Sequence, residues 1–173
     1  INVNPFDALK WRASPILGDA SSALDALSAR LERWTSSAAW QDKAIHEAQT
    51  WRETVTKIVD VRSVPARALP YDGEVIGAVQ RSVEHSDAND IVVCAAGTLP
   101  GELHKLWRAA RPGGYHVEYG YSCMGYEIAG GIGVKMARPE REVVVIVGDG
   151  SYLMLNSEIA TSVMLGTKLV GYV

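Results

Sequence analysis

Residues 143–163 read VVVIVGDGSYLMLNSEIATSV: a run of five apolar residues stops at Gly148-Asp149-Gly150 and passes directly into a helical pattern. A continuous, mostly β-branched apolar run of this length reads as a strand. Glycines at 148 and 150 let the backbone approach a ligand closely and take conformations closed to other residues. The helix beyond them offers free N–H groups and the positive end of its dipole to an anion. Asp149 would repel a bare phosphate at that place. The stretch therefore makes physical sense as a diphosphate site if a hard cation such as Mg²⁺ bridges the carboxylate and the phosphate oxygens. A plain turn with a helix cap fits the same three letters.

On either side of this stretch strands alternate with helices. A helix at 74–85 precedes the strand DIVVCAA (90–96), the turn GTLPG and the helix ELHKLWRAA (102–110). Then come the strand YHVEYG (115–120), a Gly-rich helix CMGYEIAGGIGVKMA (123–137), the strand EVVVIV (142–147), one helix running to Leu165, and a last strand KLVGYV (168–173). This order predicts an α/β fold with a doubly wound parallel sheet. Ligands of such sheets sit outside the carboxyl ends of the strands. Three turns occupy that edge: AAGTLPG at 95–101, YGYSCMG at 119–125 and GDGSYL at 148–153.

The amino-terminal part has a different character. INVNP and SPILGD read as short strands, and DASSALDALSARLERW as a helix capped by Asp19 or Ser21, with Ala23, Leu24, Leu27, Leu31 and Trp34 at helical spacing. Two strands and a helix make a poor core, so residues 1–36 are expected to be the end of a second α/β domain, and the chain a fragment of a longer protein. From Ala38 to about Asp60 the pattern is that of an amphipathic connecting helix, on which His46 is a surface residue. VRSVPARALPYDG, with two prolines and a glycine, marks a boundary. The expected division is 1–36, a connecting helix and linker at 37–70, and a main domain at 71–173.

Composition narrows the function classes. The 173 residues are 47% hydrophobic and 21% charged with a net charge of −3, which suits a globular protein with a core and leaves no basic footprint for nucleic acid. No apolar run reaches the roughly 20 residues of a membrane span, and INVNPFDALKW has no signal-peptide character, so a cytoplasmic protein is expected. Cys94 and Cys123 are two distant cysteines in apolar or Gly-rich surroundings and read as small core residues.

VGDGSYLMLNSEIATSVMLGTKL resembles the cofactor-binding signature of thiamine diphosphate enzymes such as acetohydroxyacid synthases and related decarboxylases. The resemblance implies that Asp149 binds Mg²⁺, with Gly148, Gly150 and Ser151 about the diphosphate; the motif's closing Asn would fall just past Val173. Asn156, within the predicted helix, does not replace it. YGYSCMGYEIAGGIG is similar to the segment in which a large apolar side chain wedges the cofactor into its bent form. That match makes Met124 the wedge, with Ser122 and Met124 giving backbone contacts to the aminopyrimidine. CAAGTLPGEL resembles, more loosely, the loop meeting the diphosphate from the other side, and points to Gly97, Thr98 and Leu99. Several long stretches look closest to the subfamily that opens the ring of trihydroxycyclohexanedione, a cyclic 1,2-diketone, to 5-deoxy-glucuronate in myo-inositol catabolism.

The implied cofactors are thiamine diphosphate and Mg²⁺, and the implied partner is a small cyclic polyol-derived diketone. The family's active site lies at a subunit interface, so a homodimer or homotetramer is expected. The activating Glu is expected from an N-terminal domain of the neighbouring subunit, outside this chain, which leaves no catalytic residue assigned here and predicts that the 173 residues alone are inactive. Glu118, Glu127 and Glu158 read as structural or surface carboxylates; His104 and His116 flank the loops and could touch substrate hydroxyls. An acetolactate synthase-like enzyme, a decarboxylase, or a noncatalytic relative that keeps the fold are the alternatives.

Overall fold

The structure is a computed structural model, and it describes residues 1–62, 69–84 and 90–173. Positions 63–68 of the predicted linker and His85 at the end of the predicted helix lie outside the described residues. Two compact units divide the chain, Ile1–Ala48 and Gln49–Val173.

In the first unit the two expected strands reduce to a single parallel bridge between Asn2 and Leu17. Pro5 and Pro15 lack the N–H that a longer ladder needs. Between them Phe6–Lys10 forms a short helix, α1, started by the Asn4 side chain, which accepts the Phe6 N–H at 2.9 Å. Helix α2, Ala20–Arg30, is capped by Asp19, whose carboxylate accepts the Ser22 N–H at 3.0 Å. That cap holds the Asp19 carboxyl below its ordinary range. None of the unit's residues is buried, and Leu24, Leu27, Leu31 and Trp34 all keep exposed or part-exposed side chains.

The second unit takes in the end of α3 (Ala38–Val59), whose Val55 and Val59 are buried, then α4 (Asp72–Glu84), β1 (Ile91–Cys94), α5 (Thr98–Leu106) and β2 (Tyr115–Val117). It continues through α6 (Tyr126–Ala137), β3 (Val143–Ile146), α7 (Asp149–Leu155), α8 (Glu158–Met164) and β4 (Val170–Tyr172). The four strands form one parallel sheet in the order β2-β1-β3-β4. Every residue of β1 and β3 is buried, as two continuous β-branched runs require when both sheet faces are covered.

Alternation along those strands sorts the core into two layers. Val92, Cys94, Val144 and Ile146 pack with Val55 and Val59 of α3, Ile76 and Val79 of α4, and Leu103 and Leu106 of α5. Ile91, Val93, Val143, Val145 and Val147 pack on the other face, where Ile128 and Ile132 of α6 cover Val145 and Val147. Each such aliphatic side chain contributes roughly 1.5–3 kcal/mol on full burial, so this sheet is the part that holds the unit together. The doubly wound arrangement expected from the order of elements is therefore present.

Among the boundaries that differ from expectation, three bear on the carboxyl edge of the sheet. α5 begins at Thr98, four residues early, because Gly97 turns the chain sharply at φ 112°. α6 begins only at Tyr126, which leaves Met124 in the preceding loop. The helix predicted to run unbroken to Leu165 is two helices, α7 and α8, separated at Asn156 and Ser157. Asn156 is thus the residue that ends α7 rather than one inside a helix. Asn and Ser compete for backbone hydrogen bonds and disfavour helix interiors, which is why the break falls on that pair.

Candidate functional site

β1 and β3 lie side by side, with Val93 opposite Val145, while the chain leaves β1 for β2 on one side and β3 for β4 on the other. The connections part at the carboxyl ends of these two strands and leave a crevice between them, the place where parallel α/β sheets bind ligands.

The first connection is Ala95–Gly97. Gly97 at φ 112° and ψ −172° occupies a region open essentially to glycine alone, so the turn depends on it. Thr98 and Leu99 then open α5, where the first N–H groups have no partner within the helix. Gly97 and Thr98 are exposed, whereas the Leu99 side chain packs on the core and offers only its backbone outward.

Following β2, the second loop is wound around Glu118. One of its oxygens accepts the Tyr121 N–H at 3.0 Å and the other the Cys123 N–H at 2.6 Å, and these bonds hold the carboxyl below the ordinary carboxylate range. Inside the loop Ser122 sits at φ 56°, a left-handed conformation that costs a serine about 1–2 kcal/mol. Cys123 is exposed, not the core residue expected. The loop's turn around Glu118 directs its side chain outward. Partial desolvation and the adjacent Glu118 charge push its thiol up, away from thiolate chemistry. Met124 follows with 43% of its surface exposed, and Gly125, at φ 92°, caps α6.

In the third connection, Gly148 has φ −74° and ψ 153°, and Asp149 is already the first residue of α7. Neither Gly148 nor Gly150 has a positive φ, which corrects the expectation that special backbone angles call for them. A Cβ on Gly148 would meet nothing within 4 Å, and on Gly150 only the Met124 methyl at 3.8 Å. The chain's own packing does not call for two glycines here. What their absence of side chains provides is open space beside an exposed carboxylate. The Asp149 Oδ1 accepts the Gly150 N–H at 2.8 Å.

The second and third connections are joined. The Gly125 N–H donates to the Ser151 hydroxyl at 2.7 Å and to Glu127 Oε2 at 3.1 Å, and the Ser151 hydroxyl lies 2.8 and 2.7 Å from the two Glu127 oxygens. Glu127 is fully buried and Ser151 nearly so. The Ser151 side chain therefore faces inward, and only its backbone N–H, in the first turn of α7, remains for a ligand. Glu127 was expected to be a structural or surface carboxylate; it is buried, and its place at this junction was not foreseen. Its signal is that it is the only charge in the otherwise apolar and Gly-rich stretch Tyr126–Val134, where a helix buried on most sides leaves a carboxylate no route to water.

The other candidates stand apart. His104 on α5 is exposed and meets Tyr119 and Tyr115 edge-on, with ring centroids 5.1 and 5.9 Å away. His116 on β2 is exposed, and Glu158 opens α8, where a negative charge suits the helix dipole. Cys94 is buried beneath the first turn as expected and donates its Sγ–H to the Tyr115 hydroxyl at 3.2 Å. Burial pushes the Cys94 thiol up, the Tyr115 bond opposes this, and the Glu127 charge adds to the rise. An apolar cavity of about 490 Å³ between α6, α7, α8 and β4 takes in none of the nine residues proposed for the cofactor.

A diphosphate with a divalent cation requires N–H donors, a hard oxygen ligand and room at the backbone. The start of α5, the Asp149 carboxylate and the bare surface at Gly148 and Gly150 supply one of each, so the residues present fit such a group. Among the described residues no three His, Cys, Asp or Glu side chains gather to hold a metal, and Asp149 is the ligand this chain would give.

Comparison with known proteins places this edge of the sheet within a matched domain. The family model described as thiamine pyrophosphate enzyme, C-terminal TPP binding domain, matches residues 95–173. Curated relatives named 3D-(3,5/4)-trihydroxycyclohexane-1,2-dione hydrolase are similar along nearly the whole chain. That of Clostridium perfringens (strain 13 / Type A) is 35% identical and that of Halalkalibacterium halodurans 38% identical, each over 98% of this chain. The chain spans 29% of the length of each of these relatives. Among the described residues no helix is long and apolar enough to cross a membrane.

Proposed function

We propose, from the premise that residues 95–173 belong to the C-terminal TPP-binding domain of thiamine pyrophosphate enzymes, that the protein carrying this chain hydrolyses a carbon–carbon bond of a cyclic 1,2-diketone. The observation that carries the reading is the convergence of the exposed Met124 on Gly150, beside Asp149, at the carboxyl edge of β3.

In this reading Asp149 would hold Mg²⁺, which would supply positive charge beside the diphosphate. The N–H groups of Thr98 and Leu99 would meet the diphosphate from the β1 side and that of Ser151 from the β3 side, where Gly150, whose N–H is held by the Asp149 carboxylate, leaves room for it. Met124 would pack against the apolar part of the cofactor, and the backbone at Ser122 and Met124 would meet its aminopyrimidine. When bound, thiamine diphosphate supplies a nucleophilic carbon and an electron sink. The chain's own residues position that group and exclude water from its apolar side. The activating Glu and a second metal ligand come from outside these residues, with the site completed at a subunit interface of a homodimer or homotetramer.

The names of the relatives support 3D-(3,5/4)-trihydroxycyclohexane-1,2-dione as the substrate. Hydrolysis breaks the bond between the two carbonyl carbons; water gives its hydroxyl to one, which becomes the carboxylic acid, and a proton to the other, which becomes the aldehyde, so the ring opens to 5-deoxy-glucuronate. The test is to incubate the whole protein with thiamine diphosphate, Mg²⁺ and the dione, and to follow both dione and acid. Stoichiometric conversion is expected. Consumption of a 2-oxo acid with the dione left intact would overturn the substrate assignment in favour of a decarboxylase or acetolactate synthase-like activity.

A further inference from the structure

The carboxylate of Glu127 is fully buried in α6, yet its hydrogen bonds run to the Ser151 hydroxyl and the Gly125 N–H. A buried charge of this kind is a poor source of stability, because a well-packed apolar side chain of similar volume commonly does as well or better. Its placement points to a different role. Gly125 is the neighbour of Met124, and Ser151 lies two residues after Asp149 on the first turn of α7. Each end of the network is therefore anchored within two residues of a group that the proposed site uses.

The hydrogen-bond inventory fixes the direction of the chain of bonds. The Ser151 hydroxyl has one proton and gives it to Glu127, which leaves its lone pairs for the Gly125 N–H at 2.7 Å. The serine is thus clamped between a donor on the Met124 loop and an acceptor on α6, and cannot rotate without breaking one of them. Behind it Gly125 is pressed against α7: a Cβ there would come within 3.2 Å of the Leu155 Cβ and 3.3 Å of the Met154 Cβ. Packing from one side and the Glu127–Ser151 bond from the other determine how far the Met124 loop stands from the Asp149 turn.

We infer that Glu127 and Ser151 form a positioning pair that sets the spacing between the Met124 loop and the Asp149 turn, and so tunes affinity for thiamine diphosphate and its metal without touching either through a side chain. The inference rests on the site proposed above. Groups that orient a metal ligand from behind typically alter affinity by about 10–100-fold when removed.

The test uses the whole protein and titrates thiamine diphosphate by calorimetry at fixed and at varied Mg²⁺, with Ser151→Ala, Glu127→Gln, the double variant and Asp149→Asn. Ser151→Ala removes one hydroxyl and leaves the backbone N–H in place. It is expected to weaken cofactor binding at least about tenfold and to raise the Mg²⁺ requirement. The double variant should bind within a factor of about 2 of the weaker single variant, because both changes cut the same link. Additive losses, or wild-type affinity in Ser151→Ala, would overturn the pairing; if Glu127→Gln does not fold, Ser151→Ala alone decides. Loss of binding in Asp149→Asn beside wild-type affinity in Ser151→Ala removes the positioning pair and keeps the site. Wild-type affinity in both removes the site as well.

Discussion

The terminal methyl carbon of Met124 stands 3.8 Å from the point that a Cβ on Gly150 would occupy. Two loops separated by a strand and a helix are thereby brought within van der Waals range at one edge of the sheet. Gly150 lies in the first turn of α7 and its backbone is one that alanine accepts. Gly150→Ala should therefore leave stability unchanged or raise it by up to about 1 kcal/mol. The same methyl would fill the space proposed for the diphosphate, so cofactor affinity should fall. Thermal melting of the cofactor-free protein, paired with a cofactor titration, separates the two effects; unchanged affinity would show that the space serves no ligand.

Met124 makes a complementary case. With 43% of its surface exposed it carries little of the core, and Met124→Ala should cost well below the roughly 2–5 kcal/mol of a buried methionine truncation. Turnover should fall far more, by one to two orders of magnitude, since misplacing a bound reactive group by about an ångström can cost that much. Denaturant unfolding and steady-state kinetics of the same variant check both halves. A stability loss of the buried size with turnover intact would make Met124 a packing residue.

Gly77 tests the core instead of the site. A Cβ at this buried position would lie 1.9 Å from the Val59 carbonyl oxygen, a backbone atom that cannot swing aside. Gly77→Ala must separate α4 from the end of α3, where the Arg81 guanidinium also donates to the Val61 carbonyl at 3.1 Å. Overpacking of this kind costs about 1–3 kcal/mol or more. A melting temperature equal to that of the parent protein would contradict the close approach of these helices.

Glu118 gives a pH dependence with a definite sign. Its folded carboxyl is held below the ordinary value of 4.5 by the Cys123 and Tyr121 N–H groups, so the order it confers on the loop is complete above that value. It is lost as the pH falls through the depressed folded value, when the protonated oxygen no longer attracts both donors. Amide exchange at Tyr121 and Cys123, corrected for its intrinsic pH dependence, should accelerate below pH 4.5 in the parent protein. In Glu118→Gln it should be fast throughout; equal protection in both proteins would remove the carboxylate from its role.

The two buried strands were readable because an unbroken apolar run has only one good place in an α/β protein, and the helices between them followed from apolar spacing. Asp19 was readable as a cap because its carboxylate reaches a free N–H three residues on. Other features depend on partners distant in sequence. Nothing local in YEIAGGIG says that Glu127 meets Ser151, 24 positions away. The GDG motif was attributed both to close approach of the backbone and to special backbone angles; the angles at Gly148 and Gly150 are ordinary, and what the glycines leave is open space. The short helix α1 and the division of α7 from α8 were missed because a few residues of weak propensity are decided by capping and packing.

The central claim is that Asp149 holds a divalent cation which in turn holds the diphosphate. Calorimetric titration of the whole protein with thiamine diphosphate tests it most directly, with Mg²⁺ present, with Mg²⁺ removed by chelation, and in Asp149→Asn with Mg²⁺ restored. Tight binding in the first condition and its loss in the other two is the predicted result. Equal affinity in all three would contradict the account.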